Sequence, residues 1–71
     1  MASEINFHPW KSNVIDYVGK ELVSTTTGVK VKVGQDMRGQ FIVYVDGVPA
    51  ETELSNLAAS SVLNRIGCKL V

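Results

Sequence analysis

Cysteine occurs once in this chain, at Cys68, and histidine once, at His8. A single cysteine closes no internal disulfide, and one Cys with one His falls short of a structural zinc site. Charge of one sign is missing too. Seven basic residues balance seven acidic ones, so no overall basic excess is available to neutralise phosphates, although a local patch remains open. Long apolar runs are absent, the richest stretch being centred on Phe41-Ile42-Val43, which is far short of the roughly 20 residues of a membrane-spanning helix. The opening residues MASEINFHPW lack a basic segment followed by an apolar one, so no secretory signal is expected. Together with the unpaired thiol, these absences point to a cytoplasmic protein without a membrane role.

What is present is the composition of a folded domain. Hydrophobic residues make up 45% and charged residues 20% of the 71 positions, which is unlike a disordered chain. A domain of this size buries only about 60% of its unfolded surface. Such chains gain stability from disulfides, a metal or a partner subunit. With the first two missing, a protein partner or homodimer is the expected support, and no cofactor is expected.

Residues 1–8 carry few structural signals and read as a flexible N-terminal arm, leaving 9–71 as one α+β domain. Trp10, Val14, Tyr17 and Val18 fall on one helical stripe. Pro9 suits the first helical position and Gly19 the stop, so a short helix is predicted there, with Trp10 as its core anchor. Residues 20–25 then read as a strand and Thr26-Thr27-Gly28 as a turn. Val29, Val31 and Val33 alternate with Lys30 and Lys32, the clearest strand pattern in the chain. A turn over 34–39 and a strand over 40–46 follow. Asp46-Gly47 ends that strand, and Pro49 argues against its continuation as a central one. A second helix is expected after Thr52 or Ser55 as cap, with Glu53 favouring its N-terminus. Its buried stripe would be Leu54, Leu57, Ala58, Val62 and Ile66, and Gly67 would close it.

The chain also repeats itself. SNVIDYVGKELV (12–23) aligns with SSVLNRIGCKLV (60–71), with identity at five of twelve positions: 12/60, 14/62, 19/67, 22/70 and 23/71. Duplication and convergence on one junction chemistry both account for this. In either case the phrase spells helix end, glycine cap, strand, which makes residues 68–71 a fourth strand. The expected fold is a small two-layer α+β sandwich in α-β-β-β-α-β order. A mainly antiparallel sheet of three to four strands would carry two helices on one face.

Registers follow from the same patterns. Val33 opposite Phe41, Val31 opposite Val43 and Val29 opposite Val45 give one apolar face. A three-residue loop pairing Thr25 with Val29 would put Val23 on that face and Leu22 on the other. The second face then carries Leu22, Lys30, Lys32, Ile42 and Tyr44, and these are the candidate partner-binding residues. A solvated face and a nucleic-acid face are the competing readings. In the nucleic-acid reading Tyr44 stacks on bases while Lys30, Lys32 and Arg38 contact phosphates. A C-terminal strand left at an edge would also invite pairing with another chain, or with residues 20–24 of the same chain.

Catalytic constellations are not apparent. His8 reads as a solvated side chain, Cys68 as a small buried hydrophobe, and nothing in their spacing joins them as a nucleophile–base pair. Asp46, Glu51 and Glu53 read as loop and helix-start acids rather than a carboxylate pair. The pattern near 12–20 lacks the glycines and Lys-Ser/Thr of a phosphate loop. No catalytic, metal or cofactor residue is assigned. The expected function is non-enzymatic: a small protein-interaction module, adaptor or regulator, self-associating through the outer sheet face or the C-terminal edge strand. A small nucleic-acid-binding regulator is the alternative.

Overall fold

Strict alternation in the middle of the chain builds a hairpin around which the rest assembles. A computed structural model describes residues 4–10 and 13–71. Five strands run β1 (Glu21–Ser24), β2 (Lys30–Gln35), β3 (Phe41–Val45), β4 (Val48–Leu54) and β5 (Cys68–Leu70), with one α-helix, α1 (Asn56–Ile66), between the last two. They form a single sheet in the order β4-β3-β2-β1-β5, and every neighbouring pair is antiparallel. The α+β class and the antiparallel sheet are as expected. The two helices and the three to four strands are not: the described residues form five strands and one α-helix.

The first helix is replaced by a five-residue 3-10 helix, Asn13–Tyr17. Val14, Ile15 and Val18 are β-branched and lose side-chain freedom in a longer helix. Lys11 and Ser12 of the expected helix, Ser12 being also the first residue of the repeat, lie outside the described residues. Trp10 is not a core anchor, being 89% exposed. Phe7 takes that role from within the segment assigned to the N-terminal arm. It is 1% exposed and meets Tyr17 edge to face at 5.3 Å between ring centroids. Ile5 also packs against the core, while Glu4, Asn6 and His8 are exposed.

Strand β4 falls where a turn and helix start were expected. Asp46 and Gly47 both adopt positive φ, 53° and 80°, the two-residue turn that matches the twist of a hairpin. Val45 therefore faces Val48 and the chain returns along β3. Pro49 is tolerated because β4 is an edge strand, paired on one side only. Register shifts in the β3–β4 pairing, with Glu53 at φ 56°, bend this strand. Its proline, bulges and exposed Glu51 and Glu53 blunt the edge against further pairing.

Helix α1 starts at the second of its expected caps. The Ser55 hydroxyl accepts a hydrogen bond from the Ala58 N–H at 3.2 Å. Its buried face is Ala59, Ser60 and Leu63, turned about one residue from the expected stripe, and Leu57 is 56% exposed. Leu54, Val62 and Ile66 of the expected stripe are partly buried against the core, and Leu57 falls outside the buried face.

Register decides which side chains share the core. On β2 and β3 the pairs are Val31↔Val45, Val33↔Val43 and Gln35↔Phe41, two residues from the expected pairing, so every side chain keeps its expected face. The turn explains the shift. The Asp36 N–H bonds the Gln40 carbonyl at 2.9 Å, and the Asp36 carboxylate accepts from the Arg38 and Gln40 N–H groups, both at 2.9 Å. That closes a three-residue loop with Gly39 at φ 84° and leaves Gly34 inside β2. On β1 the error is one residue. The Gly28 N–H bonds the Ser24 carbonyl and the Ser24 N–H bonds the Val29 carbonyl, so four residues make the loop and Val23 faces Lys30. A slip of one inverts a strand. Leu22 is consequently 1% exposed in the core, and Val23 takes the outer face.

The core unites Leu22, Val31, Val33, Phe41 and Val43 of the sheet with Phe7, Val14, Ala59, Leu63 and Cys68. Among the described residues, the elements that cover it lie on one side of the sheet. The two repeated phrases meet there: Gly19 and Gly67 take φ 82° and 75°, and the strands after them pair with each other, matched leucines Leu22 and Leu70 in register. The junctions before the strands differ: the Gly67 N–H bonds the Leu63 carbonyl and closes α1, whereas the Gly19 N–H bonds the Val33 carbonyl of β2 rather than its own helix.

Candidate interaction face

Alternation that sends Leu22, Val31, Val33 and Val43 inward sends Glu21, Val23, Lys30, Lys32, Gly34, Ile42 and Tyr44 outward. Across this face the direct neighbours are Lys69–Val23–Lys30 in one row, Glu21–Lys32–Tyr44–Pro49 in the next, and Gly34–Ile42 in a third. Lys30 and Lys32 are exposed, while Val23, Ile42 and Tyr44 are half-buried by their neighbours alone. Of the five expected partner-binding residues, four share this face. Leu22 does not, for the reason of register given above.

A groove of about 610 Å³ runs over the face, lined among others by Glu21, Lys30, Lys32, Gly34, Tyr44 and Val71. Gly34 shapes it. No positive φ requires glycine there, and glycine within a strand weakens it. A β-carbon at Gly34 would lie 3.0 Å from Tyr44 Cε1. The missing side chain is thus what lets the Tyr44 ring lie across β2 rather than stand away from the sheet. The sequence pattern places Gly34 in the turn over 34–39, whereas it lies inside β2.

The electrostatics of the groove are mixed in sign. Lys32 stands directly opposite Glu21. Lys30 lies beside the Asp46–Gly47 turn, where the Asp46 N–H donates to the Lys30 carbonyl at 2.8 Å and Gly47 joins the groove lining. Arg38 sits in the β2–β3 loop, at the far end of β2 from Lys30 and outside the groove. The four residues of the nucleic-acid alternative are therefore not brought together: Lys30, Lys32 and Tyr44 converge and Arg38 does not.

Elsewhere the chemistry-bearing residues are separate. Burial pushes the Cys68 thiol up from 9.0 to about 11, with the nearby Glu4 carboxylate adding to it. The Sγ donates a weak hydrogen bond to the Leu63 carbonyl at 3.8 Å. A thiol so held stays protonated near neutrality and is a poor nucleophile. His8 is exposed, with its backbone N–H bound by Asn13 Oδ1 at 2.7 Å. Asp46, Glu51 and Glu53 are all exposed on the β3–β4 hairpin, and Glu53 belongs to β4 rather than to a helix start. Among the described residues no group of three or more His, Cys, Asp or Glu side chains could hold a metal, and no helix is long and apolar enough to cross a membrane.

The C-terminal strand finds its partner within the chain, pairing with β1 as Leu22↔Leu70, Val23↔Lys69 and Ser24↔Cys68. Its other edge is not fully free, because the Ile5 N–H donates to the Cys68 carbonyl at 2.7 Å. No protein-family model, curated protein or solved structure matches this chain.

Proposed function

We propose that this chain is a small non-enzymatic interaction module that self-associates through the uncovered face of its sheet. One observation carries the reading: among the described residues the elements that cover the core pack on one side of the sheet, leaving Val23, Ile42 and Tyr44 half-buried beside a groove on the other. Apolar centres with charged rims are the anatomy of protein interfaces. The mixed charge of the face favours a second copy as partner. An interface made twice by the same patch must be self-complementary, and a face with Glu21 opposite Lys32 can set each lysine against the other copy's glutamate. A nucleic-acid partner is favoured less, because carboxylates adjoin the lysines and dilute the attraction for phosphate. The C-terminal edge is a weaker candidate contact, since Ile5 already occupies part of it. A cytoplasmic setting accords with the single unpaired thiol.

Sedimentation equilibrium of the wild type and of Ile42→Asp tests this. The expected result is a concentration-dependent dimer in the wild type and a monomer in the variant, because the new carboxylate would be buried against apolar groups. A wild type that stays monomeric into the high micromolar range overturns it. Titration with labelled oligonucleotides at two salt concentrations serves as the competing measurement. Binding that weakens as salt rises would move the assignment to the nucleic-acid reading.

A further inference from the structure

The segment from Ile5 to Pro9 is held mainly by side-chain amides. Asn64 Oδ1 accepts from the Phe7 N–H at 2.9 Å, and Asn64 Nδ2 donates to the Phe7 carbonyl at 2.8 Å. Asn13 grips the flanking groups, its Oδ1 accepting from the His8 N–H at 2.7 Å and its Nδ2 donating to the Asn6 carbonyl at 3.1 Å. Two side-chain amides thus satisfy four consecutive main-chain groups. Asn56 Nδ2 adds the Pro9 carbonyl at 2.7 Å, and the Cys68 carbonyl takes the Ile5 N–H at 2.7 Å. Between these contacts the Phe7 ring is fully buried in the cluster that includes Val14, Leu63 and Cys68.

Main-chain groups read by fixed donors and acceptors, beside a strand edge, with one aromatic anchor in a closed pocket, are the parts of an extended-peptide site. We infer that α1, the 3-10 helix and the β5 edge form a binding cleft for an aromatic-anchored peptide segment, filled in this structure by residues 5–9 of the same chain. The occupant that fits in trans is the same segment of a second copy. Exchange of an identical element between copies conserves every contact and is a low-cost route to association. This cleft lies on the covered side of the sheet and does not depend on the open face. The polar contacts are to main chain, so selectivity rests on the buried Phe7 ring, with Ile5 packed against the same cluster.

A fluorescently labelled peptide of residues 4–10, titrated into the full chain and its Phe7→Ala variant, tests the inference by anisotropy. A tethered segment competes at millimolar effective concentration, so removing its anchor should tighten peptide binding by about ten-fold or more. Adding Asn64→Ala to Phe7→Ala should weaken that binding again, and a peptide with alanine in place of phenylalanine should not bind. If Phe7→Ala fails to fold alone, recovery of its circular dichroism on adding the peptide supports the cleft equally. A folded variant that does not bind the peptide, or an unfolded one that the peptide does not restore, overturns it. Adding Ile42→Asp to Phe7→Ala separates the two readings: the cleft is untouched, so peptide affinity should equal that of Phe7→Ala whether or not the open face associates, and a loss of peptide binding would overturn the independence of the cleft.

Discussion

Gly34→Ala, made alone and with Tyr44→Ala, examines the shape of the open sheet face directly. At a position whose backbone needs no positive φ, replacing glycine by alanine stabilises by about 0.4–1 kcal/mol through the unfolded chain. Gly34 is such a position, yet its added β-carbon would stand 3.0 Å from Tyr44 Cε1. Contacts that tight force a neighbour to shift, and crowding of this kind costs about 1–3 kcal/mol in a packed core. Tyr44 is half-buried and its ring can swing outward, which sets the cost near the lower end, at about 1 kcal/mol. In the wild-type background the two effects therefore nearly cancel or leave a slight loss. With Tyr44→Ala already present the obstacle is gone, and the same substitution should stabilise by the full ~0.4–1 kcal/mol. Urea denaturation of the four proteins gives the coupling, expected near 1 kcal/mol, as for residues in contact. An equal effect of Gly34→Ala in both backgrounds would refute the claim that Tyr44 lies across β2.

Register, burial and the lone thiol each supply a further test. Leu22→Ala should lose about 2–5 kcal/mol as a core truncation, whereas Val23→Ala should lose under ~1 kcal/mol, and a reversal in chemical denaturation would contradict the β1 register. Ser60 is fully buried with its hydroxyl unpartnered, so Ser60→Ala should raise stability by about 1 kcal/mol, and a loss of that size would show that the hydroxyl has a partner. The Cys68 thiol is raised from 9.0 to about 11 in the fold, so the folded chain holds this proton more tightly. Its contribution is complete below pH 9 and declines as pH rises through about 11, by roughly 2–3 kcal/mol in total. Cys68→Ala should lack that part of the decline, and identical alkaline profiles for the two proteins would show that the thiol is not held in this way.

Where local chemistry decides the structure, the chain was legible. Alternating valines placed β2, Gly67 closed α1, Ser55 capped it, and the repeated phrase turned the last residues into a strand. What escaped was decided by competition between signals or by tertiary packing. Asp46-Gly47 is a strong hairpin signal, but Pro49 was weighed against a central strand when β4 is an edge. Trp10 and Phe7 compete for one anchor position. Phe7 has its main-chain N–H and carbonyl bound by Asn64 and its ring buried, and Trp10 is left in solvent. The open face was legible in Lys30, Lys32, Ile42 and Tyr44 because two residues of β2–β3 slippage preserve parity. Leu22 was misplaced because one residue of loop length does not. Gly34 was unreadable as a site residue, since its role depends on a ring from the neighbouring strand.

The central claim, that the uncovered sheet face is the contact surface between copies, is tested most directly by amide chemical shifts followed over a dilution series. The account predicts that Val23, Lys30, Lys32, Ile42 and Tyr44 shift together with concentration, while Ala59 to Leu63 on the covered side hold still. Shifts confined to α1 or to residues 5–9, or no change with concentration at all, would contradict it.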